Sequence, residues 1–407
     1  MGCLLSLGGS CCPWAAIVAL IACGLAALAY LPPLEPAVQV GAPVRTQLQT
    51  EATQPLDFQT YTRTSIEFPC VDATCEAWLY MPKGLPEGEL PPVVVMAHGM
   101  GGQKDFGLHK YAENFAQNGM AAFAFDYRGW GGSGGEPRHW LSAKRHMADW
   151  RAAIAYVRGS MAASLDTSRL CLWGSSFAGG HVLVVGSEPQ IAPHITAIVA
   201  QVPNLDAAAS TKASIKQRGV PKSLRMLAAG LVDLLRTAVG REPLYLPLAG
   251  LHGSLAFMQM TPGELERYHA NHPKQPQGGW VNLARAAYSA EHALFKTSPI
   301  KHVHAIIAPV LYMGANKDTL CPMDAIKRAV ALTPTAELYA VDCDHFELFT
   351  PQHMPGLQRR QLEFLLQHVG AQKAVRGMQQ EQDEAVALAA AAAEDQVAEE
   401  AQGVATS

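Results

Sequence analysis

Val93-Val94-Val95-Met96 is a continuous apolar run that stops at His98-Gly99. A strand with one solvated face alternates polar and apolar residues, so an unbroken run marks a strand buried on both faces, as in a parallel sheet between helices. Further strand-like runs follow at Ala121 to Phe125, Leu170 to Trp173, Ile195 to Val202, Ile306 to Met313 and Glu337 to Val341. Between them lie helical stretches. One runs from His109 to Gln117, ended by Asn118-Gly119; in another, Met147, Trp150, Ile154 and Val157 recur at spacings of three and four. Phe58 to Phe68 and Cys75 to Met81, rich in Thr, Ile, Tyr and Trp, suit an opening antiparallel pair. Strand–helix alternation predicts an α/β fold with a mainly parallel sheet of about eight strands and helices on both faces.

The regularity breaks between Asn204 and Pro299. That stretch holds an amphipathic helix (Leu224, Leu227, Leu231, Leu234, Leu235), Pro/Gly-rich loops and Trp280, and is too long for a plain connection. It reads as a helical cap inserted over the sheet. The resulting division is an apolar leader (1–31), a linker (32–55), the first part of the core (56–203), the cap (204–299), the second part of the core (300–370) and an acidic Ala/Gln/Glu-rich tail (371–407).

Charge narrows the class of partner. The formal net charge of −4 over 407 residues comes largely from the tail, where seven acids face Lys373 and Arg376. No basic stripe marks a phosphate-binding face, so nucleic acid is not an expected partner. Of nine cysteines, Cys3, Cys11, Cys12 and Cys23 lie in the leader, and no C-x-x-C pair offers a zinc site. Cys70 and Cys75 flank a short turn between two strands. The spacing permits a hairpin disulfide that would need an oxidising compartment, and the sequence alone does not support adopting it.

The leader bears on localisation. Trp14 to Leu31 is an apolar run of about the length that spans a bilayer. Ala27-Leu28-Ala29 resembles a small-x-small cleavage site, but no Lys or Arg precedes Arg45, so the positive region of a signal peptide is missing. Met1-Gly2-Cys3-Leu4-Leu5-Ser6 also fits the myristoylation pattern, with Cys3 placed for a second acyl chain. Membrane association through residues 1–31, or entry into the secretory pathway, is expected over a soluble cytosolic protein.

The chemistry concentrates in Leu172-Trp173-Gly174-Ser175-Ser176-Phe177-Ala178-Gly179-Gly180. A buried strand runs into a tight turn and then a helix-compatible run, the setting of a nucleophile elbow. The residues two before and two after the nucleophile must be small; here they are Gly174 and Ala178, which selects Ser176 over Ser175. A serine hydroxyl needs a base oriented by a third group. Asp318 follows the strand ending at Met313, and His345 follows the strand ending at Val341, so Ser176, Asp318 and His345 are the candidate catalytic residues. Asp206 is the reserve acid, and Asp324 reads as the cap of the helix after Pro322. The oxyanion hole is expected from the backbone N–H groups of Phe177 and of Met100 in His98-Gly99-Met100-Gly101-Gly102. His98 itself reads as a brace for that turn.

Together with Asp126-Tyr127-Arg128-Gly129-Trp130-Gly131-Gly132-Ser133-Gly134-Gly135-Glu136-Pro137-Arg138, these motifs resemble α/β-hydrolases of the dienelactone-hydrolase and X-prolyl-dipeptidyl-peptidase-like group. The likeness covers Ile66 to Gly370 except most of the cap. It implies a hydrolase without a metal or organic cofactor. The expected activity is cleavage of a carboxylic ester or thioester through an acyl-enzyme, on a small-molecule substrate whose acyl group meets an apolar cap (Leu248, Leu251, Leu255, Phe257, Met258). Two alternatives stand beside it. One is a peptidase or amidase using the same triad, although no acidic clamp for a free amino terminus is evident. The other is a non-catalytic, membrane-tethered binding protein on the same scaffold.

Overall fold

The computed structural model describes residues 56–271, 280–294 and 298–370. The leader, nearly all of the linker and the acidic tail therefore lie outside the described residues. Nine strands form the central sheet: β1 (Leu56–Asp57), β2 (Tyr61–Cys70), β3 (Ala73–Pro82), β4 (Pro92–Ala97), β5 (Ala121–Phe125), β6 (Asp166–Ser175), β7 (Ile195–Gln201), β12 (Val310–Ala315) and β13 (Ala336–Val341). Their order is β1-β2-β3-β5-β4-β6-β7-β12-β13. Pairing is antiparallel from β1 to β5 and parallel from β5 to β13. The strand beyond the expected eight is the two-residue edge β1.

Buried strands leave no ambiguity of face. All six residues of β4 are buried. Val93, Val95 and Ala97 join the apolar core on one side of the sheet, and Val94 and Met96 join that on the other. Helices α1 (Leu108–Gln117) and α9 (Met354–His368) supply Tyr111, Phe115, Leu362 and Leu365 to the second core. Helices α2 (Ala143–Ser160), α3 (Phe177–Gly186) and α8 (Met323–Leu332) supply Trp150, Ile154, Leu183 and Ile326 to the first.

Several local expectations need correction. The opening hairpin runs through to a two-residue turn, Val71-Asp72, and Cys70 and Cys75 are joined in a disulfide with Cα atoms 5.7 Å apart. The strand expected from Ile306 begins only at Val310. Pro309 has no N–H to donate to a ladder, though its carbonyl accepts from Ile198. Asp324 is not the cap of α8: Pro322 holds that position, and Asp324 sits in the first turn, where its charge favours the helix dipole. Asp206 caps a cap helix, its carboxylate accepting the N–H groups of Ala208 and Ala209. It is therefore not the acid of the site.

Between β7 and β12 the chain builds the cap from α4 (Ala207–Arg218), α5 (Val220–Ala238), α6 (Pro262–Ala270) and α7 (Ala287–Leu294). It is not purely helical. β8 (Tyr245–Pro247) pairs with β11 (Leu283–Arg285), and β9 (Ala249–Leu251) with β10 (Met258–Met260). The leucine stripe of α5 is only partly covered, Leu227, Leu234 and Leu235 being half-buried. Met226, Ala229, Gly230 and Asp233 face inward, whereas Leu224 and Leu231 are 60% and 46% exposed. Close packing on α7 decides this. A Cβ at Gly230 would lie 2.7 Å from the Ala286 carbonyl, so only glycine allows the approach. Asp233 is held there by the Arg285 guanidinium, 3.1 Å away, and by the N–H groups of Leu244 and Ala287.

Candidate active site

Ser176 sits between β6 and α3 with φ 57° and ψ −116°, a strained conformation that exposes its side chain above the sheet edge. The neighbours make that turn possible. A Cβ on Gly174 would lie 2.4 Å from the Ala178 carbonyl oxygen, and one on Gly180 would lie 2.3 Å from that of Asn204. Backbone bonds fix the corner: the Ser176 N–H donates to Gln201 O at 2.8 Å, and its carbonyl accepts from Asn204 at 2.9 Å. Beneath it runs a buried chain of polar side chains. Trp173 Nε1 donates to Gln361 Oε1 at 2.7 Å, Gln361 Nε2 to Gln201 Oε1 at 2.7 Å, and Gln201 Nε2 to Ser175 Oγ at 3.3 Å. A satisfied buried network of this kind specifies one arrangement of the elements it joins.

The structure brings the three candidate residues together from three separate loops. His345 Nε2 is 3.1 Å from Ser176 Oγ, and His345 Nδ1 is 2.6 Å from Asp318 Oδ2. The other oxygen of Asp318 accepts the N–H groups of Leu320 and Cys321 at 2.8 and 2.7 Å. Both His345 and Asp318 are buried. Burial opposes the charged imidazolium, but the charge and hydrogen bond of Asp318, with a smaller contribution from Cys321, raise the His345 pKa well above the ordinary imidazole value. The Cys321 thiol is pushed up as well, first by burial and then by Asp318. Asp318, Cys321 and His345 bring three potential metal-donor atoms within 4.8 Å of one another, yet two of them are already bonded to each other. The other such group among the described residues contains Cys70 and Cys75, whose sulfurs are spent in the disulfide.

Met100 and Phe177 both line the cavity that opens over Ser176. The loop carrying Met100 presses on the nucleophile: a Cβ at Gly99 would be 3.0 Å from Ser176 Cβ. His98 braces this turn, its Nδ1–H donating to Gly99 O at 2.9 Å; burial lowers its pKa. Behind it stands a group the sequence did not disclose. Lys104, fully buried, donates from Nζ to Asp126 Oδ2 at 2.5 Å and lies 3.1 Å from Glu76, while its backbone N–H donates to Asp126 Oδ1 at 2.7 Å. Burial opposes its charge, but the two carboxylates outweigh it and raise the pKa of the ammonium. Asp126 also accepts from Gly132 N, and a Cβ at Gly131 would fall 2.1 Å from its Oδ2. The glycines of the Asp126–Arg138 segment thus let backbone wrap a buried carboxylate.

Sequence reasoning also missed the residues through which the cap touches the site. Thr261 and Glu264 form a capping box at the start of α6, and Glu264 accepts the Thr319 hydroxyl, one residue past Asp318, at 3.0 Å. Arg267 pairs with Asp344, next to His345. Trp280 Nε1 donates to Gly101 O at 2.7 Å, beside Met100. The Thr-x-x-Glu spacing was readable as a helix start. Its long-range partners were not.

The cavity over Ser176 measures about 340 Å³. Its walls come from α4, α5, α7 and β10, including Ile215, Leu224, Leu227, Phe257, Met258 and Tyr288. Of the five residues expected to form an apolar pocket, only Phe257 and Met258 line it. Leu248 packs against Gly101, and Leu251 is exposed. No Asp or Glu lines this cavity among the described residues. On the other flank of Ser176 lies a small cavity of about 20 Å³, bordered by His345, Phe106 and Tyr268.

A doubly covered parallel sheet with a serine on a strand–helix elbow defines an α/β-hydrolase. The chain matches the family described as serine aminopeptidase, S33, over residues 88–341, and it belongs to that family of α/β-hydrolases. It is 31% identical over 301 residues to the quorum-quenching protein AidA of Acinetobacter baumannii, covering 74% of this chain and 93% of that one. It is 26% identical over 197 residues to a polyketide transferase of a Penicillium species, covering 48% of this chain and 60% of that one. A hypothetical protein of Pseudomonas aeruginosa shares the fold, with a TM-score of 0.64 at 20% identity over 80% of this chain and 99% of that chain. The family makes the chain a hydrolase; the narrower likeness to dienelactone hydrolases and X-prolyl peptidases stays a resemblance.

Proposed function

We propose that the protein is a serine hydrolase that cleaves a carboxylic ester or thioester with an apolar acyl group. The observation that carries this reading is Ser176 at the foot of a cavity of about 340 Å³ with largely apolar walls and, among the described residues, no carboxylate. An aminopeptidase must neutralise its substrate's α-ammonium, and a buried cation without a counter-charge is strongly disfavoured. Among the described residues the cavity offers none, which favours an ester or thioester over a peptide with a free amino terminus. Its volume, at the lower end of the roughly 300–1,000 Å³ usual for small-molecule sites, suits an acyl chain of medium length.

In this mechanism His345 Nε2 takes the proton of Ser176 Oγ as the oxygen attacks the carbonyl carbon. Asp318 holds the imidazole in the tautomer that leaves Nε2 free and stabilises the imidazolium. The N–H groups of Met100 and Phe177 stabilise the tetrahedral oxyanion. His345 returns the proton to the leaving alcohol or thiol, which departs and leaves an ester on Ser176. Water, deprotonated by the same imidazole, then releases the acid. The cavity of about 20 Å³ beside His345 has room for about one water molecule.

The test is fluorophosphonate labelling with peptide mapping, followed by rates on a chain-length series of nitrophenyl esters and thioesters and on aminoacyl and prolyl anilides. The expected result is an adduct on Ser176, absent from Ser176→Ala, with medium-chain esters cleaved and anilides inert. Anilide turnover exceeding ester turnover would replace this reading with the peptidase. Folded wild type that neither labels nor turns over any substrate would favour the non-catalytic scaffold.

A further inference from the structure

We infer that the α4–α5 elbow of the cap is a docking surface for an anionic lipid bilayer, and that it presents the mouth of the active-site cavity to the membrane. Residues 207–241 carry seven Lys or Arg (Lys212, Lys216, Arg218, Lys222, Arg225, Arg236, Arg241) and one acid, Asp233, with Asp206 and Glu242 at the two ends of the segment, in a chain whose net charge is −4. Asp233 is buried against Arg285 and offsets nothing outside. Lys212, Lys216, Lys222, Arg225 and Arg241 are exposed. Lys212, Lys216 and Arg225 have no ion-pair partner among the described residues.

Among these cations the elbow exposes apolar side chains. The chain turns at Gly219, with φ 89° and ψ 152°, and Val220 and Leu224 follow at 59% and 60% exposure. Leu231 continues the stripe one and a half to two turns further on, at 46%. Ile215 projects from the last turn of α4, and Leu251 ends β9, two residues before Gly253, whose carbonyl accepts from Lys222 Nζ. Helices that lie in a membrane interface combine this pattern: apolar residues along one face and Lys or Arg beside them. A protein partner would also cover leucines, but the uniform sign of the flanking charge favours a surface that is itself uniformly negative.

The position of the patch gives it a use. Ile215, Val220 and Leu224 are exposed and also line the cavity above Ser176. The same apolar side chains therefore belong both to the outer surface of the cap and to the wall of the cavity over the nucleophile. A lipophilic molecule dissolved in a bilayer under this face enters the cavity without crossing water. This last step rests on the acyl-hydrolase reading; the docking itself does not.

The experiment is vesicle flotation of the full-length chain with phosphatidylcholine alone and with phosphatidylcholine containing phosphatidylglycerol. The variants are Lys212→Gln/Lys216→Gln/Arg225→Gln, Leu231→Glu and Ser176→Ala; none of the first four positions lines the cavity. Wild type is expected to prefer anionic vesicles, with the preference falling as salt rises. The triple variant should lose on the order of a hundredfold in anionic-vesicle affinity, and Leu231→Glu roughly tenfold. Ser176→Ala should float like wild type, which separates docking from catalysis. Wild-type flotation in both variants would overturn the proposal and assign any membrane binding to the leader. So would absence of an anionic preference in wild type. If Leu231→Glu instead turns a dimer into a monomer with vesicle binding unchanged, the stripe belongs to a second copy of the chain.

Discussion

Arg267 of the cap pairs with Asp344, the residue immediately before His345. Asp344 in turn accepts the N–H groups of Phe346 and Glu347, so the loop bearing the candidate base is closed by a carboxylate that the cap holds. Arg267→Ala removes that hold without touching the cavity. Misplacement by an ångström costs up to about a hundredfold in rate, so kcat is expected to fall roughly ten- to hundredfold with KM little changed. Steady-state kinetics on one ester check it, and an effect confined to KM would show that the pair acts on substrate binding instead.

The pH profile should carry the signature of the His345–Asp318 pair. The base must be neutral to act, and Asp318 raises the pKa of the imidazole. Activity should therefore rise with pH through a midpoint above about 6.5, the ordinary imidazole value, and be lost below it. A profile of kcat/KM against pH measures this. A midpoint at or below the ordinary value would show that Asp318 does not stabilise the charged form as the geometry requires.

Lys104 lies between two buried carboxylates, Asp126 and Glu76, and pairs with both. Lys104→Met leaves both without it in an apolar surround. Breaking a buried pair typically costs about 3–5 kcal/mol, and the glycine-rich turn behind the oxyanion loop should loosen with it. Urea denaturation of wild type and variant gives the stability change; a loss under about 1 kcal/mol would mean that solvent reaches the site.

Acid stability should be set by buried histidines outside the triad. Burial, aided in His139 by the Arg138 charge and in His181 by His98, lowers the pKa of His139 to about 4 and of His181 to about 3. An unfolded chain protonates these groups near pH 6.5, so below that pH it binds more protons than the folded chain does. Stability is then lost as pH falls from about 6.5 toward 3–4, by an amount on the order of several kcal/mol for the two together. Urea midpoints between pH 7 and 4 measure it, and His181→Gln should flatten the slope.

How much of this was legible in the sequence depended on range. Ser176, Asp318 and His345 could be placed because each follows a strand of the sheet, and strand order in such a fold fixes where those loops converge. The apolar run of β4 likewise announced a sheet covered on both sides. The cap resisted for two physical reasons. Its α5 stripe obeys helical periodicity yet leaves Leu224 and Leu231 exposed, since Gly230 and Asp233 make the closer fit to α7. Its short strands are three residues each, below the length at which alternation can be distinguished from chance. Lys104 was invisible for another reason: a lysine in a Gly-rich loop reads as solvated, and only the fold brings Asp126 and Glu76 around it.

The contacts of Trp280 with Gly101, Glu264 with Thr319 and Arg267 with Asp344 place one cap residue on each of three loops of the site. The cap that walls the cavity and the core that carries Ser176 are consequently not interchangeable parts. A chimera that grafts a relative's cap onto this core would carry over a new pocket but forfeit the three tethers. Its shortfall would appear in turnover even toward substrates that the new pocket accommodates.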